Sequence, residues 1–279
     1  MKDVNYLIFR KYKKYGRQAL RIAADLLYPR RCPVCDRPVR GFHGLICPEC
    51  EGMLQRVREP VCRRCGKPLR SSAEQFCGDC LRFPHVFDRG CAVFTYHSAA
   101  GGLFRFKYGG RREYSLWYGA QMAERLEQFC RELAAAGGRY EAEDCRIAPA
   151  GPGTAAPGRW FDMLVPVPVS DRRLRKRGYN QALLLAEEIS RRTGIPVRGD
   201  VLRRTADTRP MKNMGPAERQ NNLKKAFQCT GNDVKLRSIM LIDDIYTTGA
   251  TVDACAQALY RRGAGCVCFL ALAIGGDGY

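Results

Sequence analysis

Long apolar runs are missing from this chain. The longest, Cys266–Ile274, falls far short of the ~20 residues a membrane-spanning helix needs. The N-terminus, MKDVNYLIFRKYKKYG, has neither an apolar core of signal-peptide length nor a small-residue cleavage site, which argues against export. Both absences predict a cytoplasmic, reducing setting without transmembrane segments. Histidine is scarce: His43, His85 and His97 form no constellation in the sequence, and a GxxxxGK[ST] phosphate loop is lacking. Acidic residues are few, 28 against 47 Lys and Arg, leaving a net charge of +19. A surplus of that size attracts polyanions: nucleic acid, phosphorylated small molecules or an anionic membrane.

Cysteine is abundant instead, with 15 in 279 residues. Disulfides are rare in reducing compartments, so these thiols need another explanation. Eight of them form a regular series: Cys32, Cys35, Cys47, Cys50, Cys62, Cys65, Cys77 and Cys80, four CxxC pairs separated by eleven residues. The period is 30 residues, and Pro38 aligns with Pro68 and Glu49 with Asp79. One supersecondary unit is made twice. Two CxxC pairs can offer four thiolates to one Zn²⁺, so the series predicts two closed, structural zinc sites. The simplest grouping takes the first four cysteines together and the last four together; a crossed grouping of first with third pair also satisfies the spacing. Iron–sulfur ligation or redox-active dithiols are the competing chemistries. A segment of about 50 residues with so few large apolar side chains could hardly fold without its metal. Cys91, Cys130, Cys145, Cys229, Cys255, Cys266 and Cys268 follow no ligand spacing and read as buried small apolar residues.

Three regions follow from this. Residues 1–31 form a basic arm with an amphipathic stripe (Leu20, Ala23, Ala24, Leu27), and 32–85 form the cysteine repeat. Residues 86–279 form a globular domain, interrupted by a Gly/Ala/Pro-rich insertion at 137–158 that reads as flexible. In that domain near-continuous apolar strands are expected at 91–97, Met163–Val169, Ile195–Val201, Ser238–Asp244 and Cys266–Ile274. Helices are expected at 115–133, Asn180–Thr193 and Ala250–Arg262. The alternation implies an α/β fold with a parallel sheet covered on both faces.

The most informative stretch is IMLIDDIYTTGATV, residues 239–252. Ligands of open parallel sheets bind beyond the carboxyl ends of the strands, where Asp243 and Asp244 would sit. Thr247, Thr248, Gly249, Ala250 and Thr251 then open a helix, whose free amides and positive end suit a phosphate. A phosphate site beside two carboxylates makes sense for one ligand carrying both a phosphate and neutral hydroxyls, and a ribose 5-phosphate fits.

This stretch resembles the PRPP-binding signature of type I phosphoribosyltransferases. With PRRCPVC and the CxxC repeat, FKYGG at 106–110, VPVPVSDRRLRKRGYNQALLLAEEI and ERQNNLKKAF, nearly the whole chain resembles the ComF family. Those proteins join an N-terminal zinc ribbon to a phosphoribosyltransferase domain and are associated with natural transformation. The resemblance implies a type I phosphoribosyltransferase-like sheet flanked by helices, with PRPP and Mg²⁺ as ligands. It makes Asp243 and Asp244 the residues that position the ribose and 247–251 the phosphate loop. Arg177 and Gly178, with Arg175 beside them, would meet the pyrophosphate, and Arg209, Lys212, Arg219 and Asn222 would lie in a closing loop. TRPMKNM carries Met211 where family members often have Gln. Lys107 in FKYGG is a weaker candidate for the site, since a lysine after an apolar run is more often a snorkelling surface residue. The resemblance supports two functions. One is transfer of ribose 5-phosphate to an unidentified nucleobase or amine. The other is a non-catalytic competence factor that senses PRPP or nucleotide while touching single-stranded DNA or proteins of the uptake machinery. A redox role for the CxxC pairs is a weaker third.

Overall fold

A computed structural model describes residues 29–39, 45–135, 157–205, 226–231 and 233–275. Arg209, Lys212, Arg219, Asn222, His43 and Cys145 lie outside these residues, as do nearly all of the basic arm and of the 137–158 insertion.

The two most apolar stretches form the middle of the sheet. β6 (Cys266–Ile274) is buried at all nine positions, and β5 (Ser238–Tyr246) at most of its length. β1 (Arg89–Thr95) pairs with β6 and β2 (Met163–Pro166) with β5, giving the order β1-β6-β5-β2, parallel throughout. Strands buried on both faces need helices on both faces. α3 (Tyr114–Ala135) and α5 (Gln181–Thr193) cover one face, their Leu126, Phe129, Leu185 and Ile189 packing with Met240, Ile242 and Leu270. α6 (Ala250–Tyr260) lies on the other, sharing its cluster with the second cysteine unit.

Several elements differ from expectation. The first strand ends at Thr95, and α2 (Tyr96–Tyr108) begins at once, burying Ala99, Leu103 and Phe106 and carrying the FKYGG segment at its end. The basic segment after β2 is a short helix, α4 (Asp171–Arg177), capped by Ser170 and ended by Gly178 at φ 76°. The expected strand at 195–201 shrinks to one parallel bridge, Val197 to Leu164, because Pro196 has no N–H to extend the ladder. β3 (Leu202–Arg204) and β4 (Phe227–Cys229) form an antiparallel pair across a stretch that showed no periodicity. A short helix, α1 (Gly78–Arg82), closes the second cysteine unit.

Candidate functional site

The cysteines converge in two groups: Cys32, Cys35, Cys47 and Cys50, and Cys62, Cys65, Cys77 and Cys80. Within each the sulfurs lie within 4.8 Å of one another. Sulfur pairs at 3.5 Å (Cys35–Cys47) and 3.6 Å (Cys65–Cys77) approach the edge of about 3.8 Å set by a tetrahedron of ~2.3 Å Zn–S bonds. The sequential grouping holds and the crossed one does not. In the second group, hydrogen bonds from Cys65 and its neighbours pull Cys62 far below the ordinary thiol range, while Cys62 pushes Cys65 far above it. Four thiols this close cannot all ionise unless a dication sits among them, and Zn²⁺ fits that donor set.

Both units are docked on the sheet domain. Asp36 receives two hydrogen bonds from Arg111 at 2.9 Å and one from Tyr114 Oη at 2.6 Å. Burial alone would raise the Asp36 carboxyl, but the Arg111 and Tyr114 bonds outweigh it and hold it below the usual range. Tyr118 Oη donates to Pro33 O at 3.1 Å. Cys62 and Cys65 share an apolar cluster with Phe87, Tyr246 and Phe269.

The acid pair sits where β5 emerges. Asp244 is nearly buried, and Lys107 Nζ meets its Oδ1 at 3.0 Å. Lys107 is therefore part of the site, not a surface lysine: the last turn of α2 points it across the carboxyl end of the sheet. Burial, with the Asp244 charge added, pushes the Asp243 carboxyl up to about 7. Asp243 Oδ1 accepts the Asp244 N–H at 2.8 Å.

Beyond the acids the chain bends at Thr247 and Thr248, both exposed, and enters α6 through Gly249 at φ 82°. That left-handed backbone favours glycine. A Cβ there would also lie 2.6 Å from Tyr246 Oη and 2.7 Å from His85 Cε1. Among the described residues, the amides of 247–252 find no acceptor in the protein, whereas Asp253 N–H donates to Gly249 O at 2.8 Å. The bend presents a row of free donors at a helix start.

The predicted pyrophosphate residues divide. Arg177 is half-buried and already engaged by the protein: its guanidinium donates to Gln181 Oε1 at 3.0 Å and Tyr108 Oη at 3.1 Å, and lies 4.9 Å from the Tyr108 ring centre. Arg175, with Arg172, Arg173 and Lys176, is exposed on α4. Gly178 O accepts from Arg112 at 2.5 Å, and Asn180 binds Val167 O and caps α5. A cavity of about 630 Å³ opens at the carboxyl ends of β1 and β6 beneath the second cysteine unit. Leu69, Tyr96, His97 and Ile274 line it, together with the ion pair Lys67–Asp79 at 2.5 Å.

Sequence reasoning missed His85. The ring is 1% exposed, and Nδ1 lies 2.6 Å from Asp253 Oδ2 in the first turn of α6. No spacing rule links residues 168 apart; only the fold brings them together.

These features define a class: a double zinc ribbon docked on a parallel α/β domain that carries an acidic strand end and an anion-ready bend. Residues 23–81 match the double zinc ribbon domain family. Competence protein F of Haemophilus influenzae is 34% identical over 104 residues, 37% of this chain and 45% of that protein. DNA utilization protein YhgH of Escherichia coli K12 is 37% identical over 106 residues, 38% of this chain and 46% of that protein. Competence protein ComFC of Bacillus subtilis is 36% identical over 109 residues, 36% of this chain and 39% of that protein. The matched stretches thus span about half the length of these three relatives or less. With the ribbon pair and the sheet domain on one chain, the protein is similar to these competence and DNA utilization proteins. Among the described residues, no helix is long and apolar enough to cross a membrane.

Proposed function

We propose that the chain binds PRPP and transfers its ribose 5-phosphate to a nucleobase or other amine, in a role linked to competence and DNA utilization as the names of its relatives suggest. The observation that carries this reading is the juxtaposition at the end of β5: two carboxylates beside a bend whose amides have no acceptor among the described residues. The bend takes the 5-phosphate through the amides of 247–251 and the hydroxyls of Thr247, Thr248 and Thr251. Asp243 and Asp244 accept hydrogen bonds from the ribose hydroxyls, and Lys107 pairs with Asp244 and orients it. Their hard oxygens suit Mg²⁺, which they would hold through the sugar hydroxyls and water, and which when bound neutralises charge on the leaving pyrophosphate. As the C1–O bond breaks, the carboxylates offset the positive charge growing on the sugar. The exposed guanidinium of Arg175 is better disposed to meet pyrophosphate than Arg177, which acts by fixing the end of α4. The cavity under the second ribbon has room for the acceptor.

Calorimetry with PRPP and Mg²⁺ tests the site. Wild type binds, and saturation at ~100 times the Kd stabilises it by roughly 2.7 kcal/mol. Asp243→Ala with Asp244→Ala abolishes both effects; equal binding by the two proteins rules the assignment out.

A second reading, binding of single-stranded DNA, draws on one surface. Phe104 and Tyr108 are exposed side by side on α2, ring centres 5.2 Å apart, next to the cations of α4. Exposed rings flanked by positive charge are what stacked bases and phosphates need.

A further inference from the structure

His85 leaves the second ribbon and runs under the bend that opens α6. Its ring stacks on Phe87, centres 4.8 Å apart, and Phe87 in turn meets Tyr246 and Phe269 edge-on. Asp253 ties three points together. Its Oδ2 takes the His85 bond at 2.6 Å, its Oδ1 accepts Val86 N–H at 2.8 Å, and its own N–H donates to Gly249 O at 2.8 Å. A carboxylate only accepts, so the proton in the ring bond sits on His85 Nδ1. Among the described residues, His85 Nε2 is buried and has no partner. Among the polar groups of the described residues Asp253 alone orients the ring, whose Cε1 edge lies against Gly249. An ordinary core histidine would be expected to satisfy both nitrogens; this one gives up a hydrogen bond to stay beneath the glycine.

We infer that His85 and Asp253 are a positioning pair that fixes the backbone of the 247–251 bend, so that the second zinc ribbon is a working part of the anion site. The clamp stands on the contacts above; only the identity of the anion rests on the PRPP reading. The ribbon carries residues 85 and 86 to Asp253, Asp253 holds the first turn of α6, and the ring blocks Gly249 from moving toward the core. A bend held this way keeps its free amides converged before ligand arrives, which lowers the ordering cost of binding.

The test uses the full zinc-loaded chain in three forms: wild type, His85→Asn and His85→Leu. Asn places an amide donor where Nδ1–H stood, whereas Leu fills similar space without one. Amide hydrogen exchange, followed by mass spectrometry without ligand, reads the 245–256 segment, with β6 as internal reference. Calorimetry with PRPP and Mg²⁺ reads binding. His85→Leu is expected to exchange about tenfold faster in that segment and to bind about tenfold more weakly, the scale of one hydrogen bond to a charged acceptor. β6 exchange and two zinc atoms per chain stay as in wild type, and His85→Asn stays within about threefold in both readouts. The inference is overturned if His85→Leu exchanges like wild type, if His85→Asn is as impaired as His85→Leu, or if loosening extends equally to β6. Should wild type fail to bind PRPP, the substrate assignment falls, and the exchange comparison still decides the clamp.

Discussion

Asp243 and Asp244 are adjacent in sequence yet meet different surroundings. Alternation along β5 turns Asp244 toward Lys107 and leaves Asp243 with no cation in contact among the described residues, its carboxyl raised to about 7 by burial and by its neighbour. The sign of the consequence follows. The folded state holds a proton on Asp243 that the unfolded state, with an ordinary carboxyl, releases near pH 4, so this residue costs stability as pH rises toward 7. Asp243→Asn is therefore expected to raise Tm at pH 8 by roughly 2–4 °C, a figure discounted for the side chain's solvent contact, and to change it little at pH 4. Calorimetric melts at the two pH values check this; a larger gain at the lower pH would contradict the assignment. The acid pair and the bend were legible because a strand end, two carboxylates and a glycine turn are contiguous in the chain. Lys107 stood only as a weaker candidate, since nothing local distinguishes a lysine at a helix end from one facing water. The same holds for His85, whose partner arrives from a helix far along the chain.

Among the elements, the two ribbons have equal sequence spacing but unequal attachment. The first is tied to α2 and α3 largely by polar contacts through Asp36, Pro33 and Val34. The second contributes Cys62, Cys65 and Leu69 to the apolar cluster behind β5, β6 and α6. Cys65→Ser is expected to cost about 4 kcal/mol of global stability, in the range of a lost metal site, whereas Cys47→Ser costs about 1 kcal/mol and loosens mainly its own ribbon. Urea midpoints give the costs, and elemental analysis gives two zinc atoms in wild type and fewer in each variant. Iron in place of zinc would overturn the metal assignment. The repeat, the sheet and the long helices were legible from period and apolar runs. α4 and the β3–β4 pair were not: both are short and fixed by tertiary contact more than by pattern.

At the scale of the molecule, a charge of +19 says that polyanions are attracted without saying where. Under the DNA reading, the place is the exposed pair Phe104 and Tyr108 beside α4. If single-stranded DNA lies there, log affinity falls with log salt by about 0.7 for each phosphate contacted, and Phe104→Ala with Tyr108→Ala weakens binding by about 1–3 kcal/mol per stacked base without changing that slope. Fluorescence anisotropy across a salt series measures both, and a flat slope at low affinity removes the DNA reading. The shared cluster beneath β5 also bears on how the chain can be dissected. A fragment starting at residue 86 would retain the whole aspartate–threonine segment but lose His85 and uncover Phe87 and Tyr246. Silence from such a fragment would report a stripped foundation, not an inert enzyme, so activity has to be sought in the intact, metallated polypeptide.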